Sequence, residues 1–193
     1  VVSNAEPFKA THQRLQSIPE GQGLEGYLFP DTYNFFVSDT ITEVVEKILT
    51  EFDTNFAGFE TEIIATDGEG EQPTIHEIVT MASIVQREAA NDEEMAHLSY
   101  VFWNRLKPEA QAELGSNRLQ ADPTLQYAIG DSENWWPNLN DRLTREQIDN
   151  HESPYNTYRI TGLPPGPIAN PGLPALRAAA RPGSQRPDGT DGE

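Results

Sequence analysis

The sequence has no cysteine and few basic residues, and both shortages restrict what the protein can do. Without cysteine the chain forms no disulfide and offers no thiol nucleophile. Only 13 Lys and Arg stand against 31 Asp and Glu, which gives a net charge of −18, and the basic residues form no run. Nucleic acids and anionic membrane surfaces are bound through clustered Lys and Arg. We therefore expect neither of them as a direct partner of this chain.

Long apolar runs and metal-binding patterns are missing as well. No stretch approaches the ~20 apolar residues of a membrane-spanning helix, and no signal peptide opens the chain. The four histidines, at positions 12, 76, 97 and 151, are scattered and lack the paired spacing of a zinc site. The sequence therefore predicts no metal and no cofactor.

Apolar residues at helical spacing are abundant, and 193 residues suffice for one well-buried core. Helices are predicted over 41–52 after a cap at Ser38 or Asp39, over 75–88 after a Thr74–Glu77 capping box, over 91–107, over 122–130, after Thr144 and over 174–181. Short strands are predicted over 26–29, 32–36 and 158–160. The expected fold is α+β and helix-dominated, with one domain over 1–182 and a flexible tail or loop over 183–193.

Residues 153–172 form a Pro- and Gly-rich segment that also carries aromatic and aliphatic side chains. Disordered linkers are poor in such side chains, and prolines reduce the entropy that the segment loses when it becomes ordered. We therefore expect a long ordered loop. It would serve either as a wall for an extended polar ligand, such as a glycan strand, or as a structural cover over a sheet edge.

Glu88 is the candidate for acid–base chemistry. At about 100° per residue it lies beside Met81, Ile84 and Val85, at the margin of the buried face of its helix. Apolar neighbours disfavour the ionised carboxylate and raise its pKa, as a general acid working near neutral pH requires. The alternative is an ordinary glutamate at the rim of the core, paired with Arg87 or Arg105.

Further polar candidates surround the predicted helix at 122–130 and the start of the loop. Gln120 is suited to bond a sugar hydroxyl or an acetamido group. Asp122 is a candidate too, although helix capping before a proline also explains it. The other candidates for substrate binding are Thr124, Tyr155, Asn156, Thr157 and Tyr158. For Tyr158, packing in the core remains an open alternative.

Four sequence blocks, in order, resemble the YceG-like family of endolytic murein transglycosylases. They read LEGYLFPDTY at 24–33, ASIVQREA at 82–89, LQADPTLQY at 119–127 and YNTYRITGLPPGPIANPG at 155–172. The resemblance implies cleavage of the bond between N-acetylmuramic acid and N-acetylglucosamine in nascent glycan strands, leaving 1,6-anhydro-N-acetylmuramic acid ends. It also implies that Glu88 is the catalytic acid, whereas Gln86 stands where many relatives carry an acidic residue.

The resemblance has implications for location and partners as well. Members of the family are similar to single-pass membrane proteins whose catalytic part lies outside the cytoplasm. On this basis the chain is a catalytic fragment without the anchor and the C-terminal strands, and it makes no direct membrane contact itself. The implied partners are peptidoglycan glycan strands and the enzymes of wall synthesis.

Three functions fit these residues. A lytic transglycosylase needs one carboxylic acid, because the 6-hydroxyl of the substrate replaces water as the nucleophile. A non-catalytic glycan-binding or scaffolding module would keep the groove without needing Glu88. A glycoside hydrolase would pair Glu88 with Asp122, since the common hydrolases use two carboxylates.

Overall fold

The computed structural model describes residues 2–131, 133–134, 136–137 and 143–184, and the regular secondary structure in this part of the chain is almost entirely helical. The α-helices are α1 (Ile41–Ala57), α2 (Ile75–Glu88), α3 (Met95–Leu106), α4 (Pro108–Leu114), α5 (Asp122–Ile129), α6 (Arg145–Asn150) and α7 (Leu173–Ala180). Short 3-10 helices lie at Glu6–Phe8, Gln13–Ser17, Glu60–Glu62 and Asp92–Glu94. The predicted tail over 183–193 falls outside the described residues beyond position 184.

Capping residues fix where the helices begin. The predicted capping boxes of α2 and α6 both form. Thr40, rather than Ser38 or Asp39, caps α1, because its hydroxyl accepts the backbone N–H of Glu43. The short helix α4 was not predicted: Pro108 ends α3, but it also occupies the first turn of a new helix, where a missing N–H has no cost.

The predicted dominance of helices is confirmed, but the three predicted strands do not form, so the expected α+β class is corrected to a helix-rich fold with almost no strand in the described residues. Within the described ranges the bridge partners outside helices are Arg118 and Gly162, which make one isolated bridge. Residues 32–36 run without a partner strand. Residues 158–160 belong to a turn, in which the Asn156 carbonyl accepts the N–H groups of the two residues that follow Tyr158.

The remaining predicted strand, 26–29, begins with a turn instead. The amide of Tyr27 donates to the carbonyl of Leu24 at 3.0 Å, and Gly26 has a φ of 90°. A Cβ atom at Gly26 would lie 2.4 Å from Cγ of Pro167. Glycine is therefore required here both by the backbone conformation and by the close approach of the Pro/Gly-rich loop.

Helix α2 lies at the centre of the core. Its residues from Ile78 to Val85 are all buried, and α3, α5 and α7 pack against it. Helix α7 presents small residues to this contact, and the indole N–H of Trp103 on α3 donates to the carbonyl of Ala179 at 3.0 Å. None of the helices in the described part of the chain has the length and apolar character needed to cross a membrane.

The Pro/Gly-rich loop is ordered, as predicted, but it covers α2 rather than a sheet edge. The amide of Ile168 donates to the buried hydroxyl of Ser83 at 3.0 Å, and the amide of Gly172 donates to Oε1 of Gln86 at 3.0 Å. Nε2 of His76 lies 2.9 Å from the carbonyl oxygen of Pro165. Polar side chains along one face of α2 therefore hold the loop, and the loop in turn closes over the end of α2 that carries Glu88.

Candidate active site

The carboxyl-terminal end of α2 places Glu88 among polar residues from three other segments. Glu88 is the last residue of α2, Arg105 lies in the last turn of α3 and Asp122 is the first residue of α5. Tyr158 comes from the loop that follows α6. The charges of Asp122 and Arg105 act on Glu88, and the charge of Glu88 acts on Tyr158. We call these four residues the Glu88 cluster.

The surroundings of Glu88 favour the protonated form of its carboxyl group. Partial burial raises the pKa of Glu88, the negative charge of Asp122 raises this pKa further, and the positive charge of Arg105 opposes both effects. The last turn of a helix also disfavours a negative charge, because the unpaired carbonyl groups point there. Glu88 remains exposed at the surface, so a ligand can reach it. These are the properties of a general acid.

Asp122 does not cap its helix, contrary to one expectation. The residue before it, Ala121, occupies the N-cap position, and no side chain caps the helix there. One Asp122 oxygen instead accepts a hydrogen bond from the Tyr158 hydroxyl. The pKa of Tyr158 is raised by burial and by this carboxylate, so the tyrosine stays a hydrogen-bond donor. Asp122 is thus tied to the Glu88 cluster rather than to its own helix.

Gln120 adopts a strained backbone conformation beside this cluster. Its φ is 54°, in the left-handed region that residues other than glycine rarely occupy. A backbone hydrogen bond supports this conformation: the N–H of Gln120 donates to the carbonyl of Thr157 at 3.1 Å. The side chain is exposed, two residues before Asp122. Strain of this kind collects at functional sites, where surrounding contacts maintain it.

Three predicted substrate-binding residues do not face a groove. Thr124, Asn156 and Thr157 are fully buried, each with 0% exposure, so none of them can touch a sugar in this structure. The Thr157 hydroxyl accepts the amide of Ala121 at 3.0 Å and lies 2.8 Å from the Thr124 hydroxyl. The side-chain amide of Asn156 donates to the backbone carbonyls of Ile148 and His151, at the end of α6, at 3.0 and 2.9 Å. These side chains join the loop to α5 and α6, and so they position Tyr158 and Gln120.

The residues just before Glu88 have separate roles. Gln86 stands where many relatives carry an acidic residue, and its side-chain Oε1 accepts the backbone N–H of Gly172. The Arg87 guanidinium carbon lies 3.8 Å from the centre of the Trp136 ring, a cation–π contact. The neighbouring Trp135 lies outside the described residues. Glu88 is therefore the acidic side chain that α2 directs toward Asp122.

A second polar group lies in a groove that the sequence did not assign to binding. Glu25, Tyr127 and Tyr155 line two adjoining cavities of about 530 and 420 Å³. The Tyr127 hydroxyl donates to Oε2 of Glu25 at 2.7 Å. The rings of Tyr127 and Tyr155 lie 4.9 Å apart, inclined by 48°. Of these three residues, only Tyr155 was a predicted binding residue.

The structure offers no evident metal ligand set in the ranges that it describes, where no group of three or more His, Asp or Glu is arranged around a common point. Arg105 was considered from the sequence only as an ion-pair partner of Glu88; its guanidinium donates to the carbonyl of Leu119 at 2.7 Å.

Comparison with known proteins identifies relatives along most of the chain. The sequence profile of the YceG-like family matches residues 2–186. An endolytic murein transglycosylase from Bacillus subtilis is 36% identical over 159 residues, which cover 82% of this chain and 39% of the relative. One from Streptococcus pneumoniae is 33% identical over 160 residues, covering 81% of this chain and 26% of the relative. The chain thus spans well under half of the length of these relatives.

The fold has a solved counterpart as well. A crystal structure of a YceG-like protein from Listeria monocytogenes superposes with a TM-score of 0.67 at 32% identity. The match covers 93% of this chain and 53% of the other. Sequence and structure therefore point to the same group of proteins.

Proposed function

Because the chain belongs to the YceG-like family, we propose that it is the catalytic part of a lytic transglycosylase that cleaves peptidoglycan glycan strands. The observation that carries this proposal is the position of Glu88, an accessible carboxyl group whose pKa is raised by burial and by Asp122. Nascent strands outside the cytoplasm are the proposed substrate. The whole protein would be anchored in the cell membrane and would work beside the enzymes of wall synthesis.

Glu88 would act twice in one turnover. In its protonated form it donates the proton to the glycosidic oxygen, so that the bond from this oxygen to the anomeric carbon of N-acetylmuramic acid breaks. The resulting carboxylate then accepts the proton of the 6-hydroxyl of the same sugar, and this oxygen bonds to the anomeric carbon. The product is a 1,6-anhydro end, and no water is consumed. The nucleophile is intramolecular, so its effective concentration is high.

Asp122 and Tyr158 would support this chemistry through charge. The transition state of glycosidic cleavage carries positive charge near the anomeric carbon. The Asp122 carboxylate, held by the Tyr158 hydroxyl, would stabilise that charge while it also keeps the proton on Glu88. Gln120 and Tyr155 are the remaining predicted binding residues with exposed or partly exposed side chains, and we assign them to sugar contacts.

A glycoside hydrolase is the second candidate, and the proximity of Asp122 to Glu88 favours it over the scaffold hypothesis. In that reaction Asp122 would activate a water molecule or attack the anomeric carbon itself, and the product would be a reducing end. The Tyr158 hydrogen bond weighs against this role, because a carboxylate that already accepts a hydrogen bond is a weaker base. A scaffold would bind glycan and release neither product.

Product analysis in water enriched with ¹⁸O separates the three functions. Purified chain is incubated with glycan strands, and the new ends are identified by mass spectrometry. We expect anhydro ends without ¹⁸O; reducing ends that carry ¹⁸O would establish the hydrolase, and binding without cleavage would establish the scaffold.

The catalytic role of Glu88 is tested in the same assay. Glu88→Gln should lower cleavage by about 10²–10⁴-fold while glycan binding and the melting temperature stay close to those of the wild type. Glu109→Gln, the same change of charge at an exposed position of α4, is the matched control and should retain activity. Wild-type cleavage by Glu88→Gln would refute the proposed mechanism.

A further inference from the structure

The groove beside Glu25 has the chemistry of a cation-binding site. Glu25, Tyr127 and Tyr155, which we call the Glu25 corner, are shared by the two adjoining cavities. The described residues that line these cavities include no Lys, Arg or His. The other polar side chains at the larger cavity, those of Ser3, Gln22 and Asn170, are neutral. The smaller cavity is also lined by Asp131, one oxygen of which accepts the backbone N–H groups of Glu133 and Asn134. The carboxylates of Glu25 and Asp131 and the two tyrosine rings therefore dominate the electrostatics of the groove.

We propose that the Glu25 corner binds a primary ammonium group carried by the peptide substituents of a glycan strand. This inference rests on the proposed function, because it takes peptidoglycan as the substrate. The corner would thus read a feature of the substrate that lies away from the bond cleaved at Glu88, namely whether the peptide amine is free.

The geometry suits an ammonium group in two respects. The Tyr127 hydroxyl donates to one oxygen of Glu25 at 2.7 Å, which fixes the carboxylate in the wall of the groove. The two tyrosine rings, 4.9 Å apart and inclined by 48°, are both part of the groove wall next to that carboxylate. Aromatic faces attract ammonium groups through their quadrupole, and a carboxylate supplies the charged hydrogen bond.

The charges in the corner agree with this occupant. Burial raises the pKa of Glu25, against the effect of the Tyr127 hydrogen bond. Burial and the negative charge of Glu25 together raise the pKa of Tyr155. The corner thus has a negative potential, and its carboxylate is incompletely hydrated. A cation offsets that loss of hydration, whereas a neutral sugar ring does so only through hydroxyl groups.

The overall charge points the same way. At −18 the chain repels the carboxylates of peptide substituents and gains nothing from the neutral sugars. A free amine is the positively charged group on such a substrate, so its recognition is the contact that an acidic protein can use. Acetylation or cross-linking of the amine removes the charge and adds bulk, and both changes would weaken binding.

Calorimetric titration of the catalytically inactive Glu88→Gln chain tests this inference without any turnover. The probes are a disaccharide–peptide with a free side-chain amine, the same compound with that amine N-acetylated, and the disaccharide alone. We expect the free amine to bind at least about tenfold more tightly than the acetylated form, the size of effect that one charged contact gives.

Matched second substitutions locate the contact. Adding Glu25→Gln keeps an acceptor for the Tyr127 hydroxyl but removes the charge, so it should abolish the preference for the free amine. Tyr155→Phe keeps the aromatic face and should retain the preference, as should Glu109→Gln on α4.

Three results would overturn the inference: equal binding of the free and acetylated probes, equally tight Glu25-dependent binding of the disaccharide alone, or no binding of any probe. A failure of the proposed function is seen separately, as the absence of glycan cleavage by the wild-type chain. The two hypotheses can therefore fail independently.

Discussion

The hydroxyl group of Tyr158 donates a hydrogen bond to the carboxylate of Asp122, although the two residues are far apart in sequence. The same carboxylate raises the pKa of Glu88. The start of α5, the loop after α6 and the end of α2 therefore form one electrostatic unit. Changing the charge of Asp122 should change the protonation of Glu88, and the pH dependence of cleavage can measure that change.

Asp122→Asn should move the alkaline limb of the pH–activity profile to lower pH. Glu88 has to be protonated to donate to the leaving oxygen, so activity falls as the pH rises through its pKa. Asp122 raises this pKa, so removing its charge lowers the pKa and the fall begins at lower pH. Cleavage rates measured across the pH range, with products identified at each pH, test the shift.

Tyr158→Phe is the comparison for this experiment, because it removes the hydrogen bond and leaves the Asp122 charge in place. Its alkaline limb should stay above that of Asp122→Asn. If Asp122→Asn instead loses cleavage at every pH by about 10²-fold or more, Asp122 takes part in the reaction itself, and the hydrolase becomes the better assignment.

Thr157→Val should destabilise the fold by about 1–3 kcal/mol, because it leaves buried polar groups without their partner. The substitution keeps the shape of the side chain but removes the acceptor for the Ala121 amide and the contact with the Thr124 hydroxyl. Urea denaturation measures the free energy of unfolding. Thr161→Val, at an exposed position of the same loop, is the control and should change it little; equal effects of the two would show that the buried contact is not stabilising.

The helices and their caps could be predicted because their signals are local. The capping boxes of α2 and α6 need residues three positions apart, and the apolar spacing of α2 needs only its own turns. The margin position of Glu88 follows from the same spacing. Strand predictions failed because a short apolar run does not show whether a partner strand exists. At Gly26 the chain makes a local turn, and Pro167, distant in sequence, packs closely against it.

The role of a candidate site residue could be predicted only where it depends on residues close by in the sequence. Thr124, Asn156 and Thr157 are polar residues in a motif-rich region, and sequence alone does not distinguish a groove contact from a buried hydrogen bond. Glu25 and Tyr127 meet only in the folded chain, 102 residues apart. Neither the cap nor the catalytic interpretation of Asp122 included its bond to Tyr158.

Gln120→Gly should stabilise the fold while weakening substrate binding. Glycine adopts a φ of 54° without the steric cost that glutamine has, and the gain, after the entropic cost of glycine, is roughly 0.5–1 kcal/mol. Gln120→Ala removes the same side chain and keeps the strain, so it should leave stability unchanged. Both variants should raise KM equally. An unchanged KM in both would exclude Gln120 from the sugar contacts.

His12 holds the N-terminal segment against α1 between two carboxylates. Its Nδ1 lies 2.6 Å from Oδ2 of Asp53, and its Nε2 lies 2.6 Å from Oε2 of Glu46. Both contacts are donated at once only by the protonated ring. Burial of the ring opposes protonation, but the hydrogen bonds and charges of the two carboxylates outweigh it, and the pKa of His12 is raised.

The chain should therefore lose stability as the pH rises above neutrality. A histidine whose pKa is higher in the folded than in the unfolded state stabilises the fold fully below its unfolded pKa of about 6.5. That stabilisation disappears as the pH rises through the folded pKa. We expect a loss on the order of 1–3 kcal/mol in denaturation experiments between pH 5 and pH 9. His12→Gln should remove most of this dependence, whereas His97→Gln, at a ring that contacts the Ser184 carbonyl, should retain it. A free energy of unfolding that is as steep with pH in His12→Gln as in the wild type would show that other groups cause the dependence.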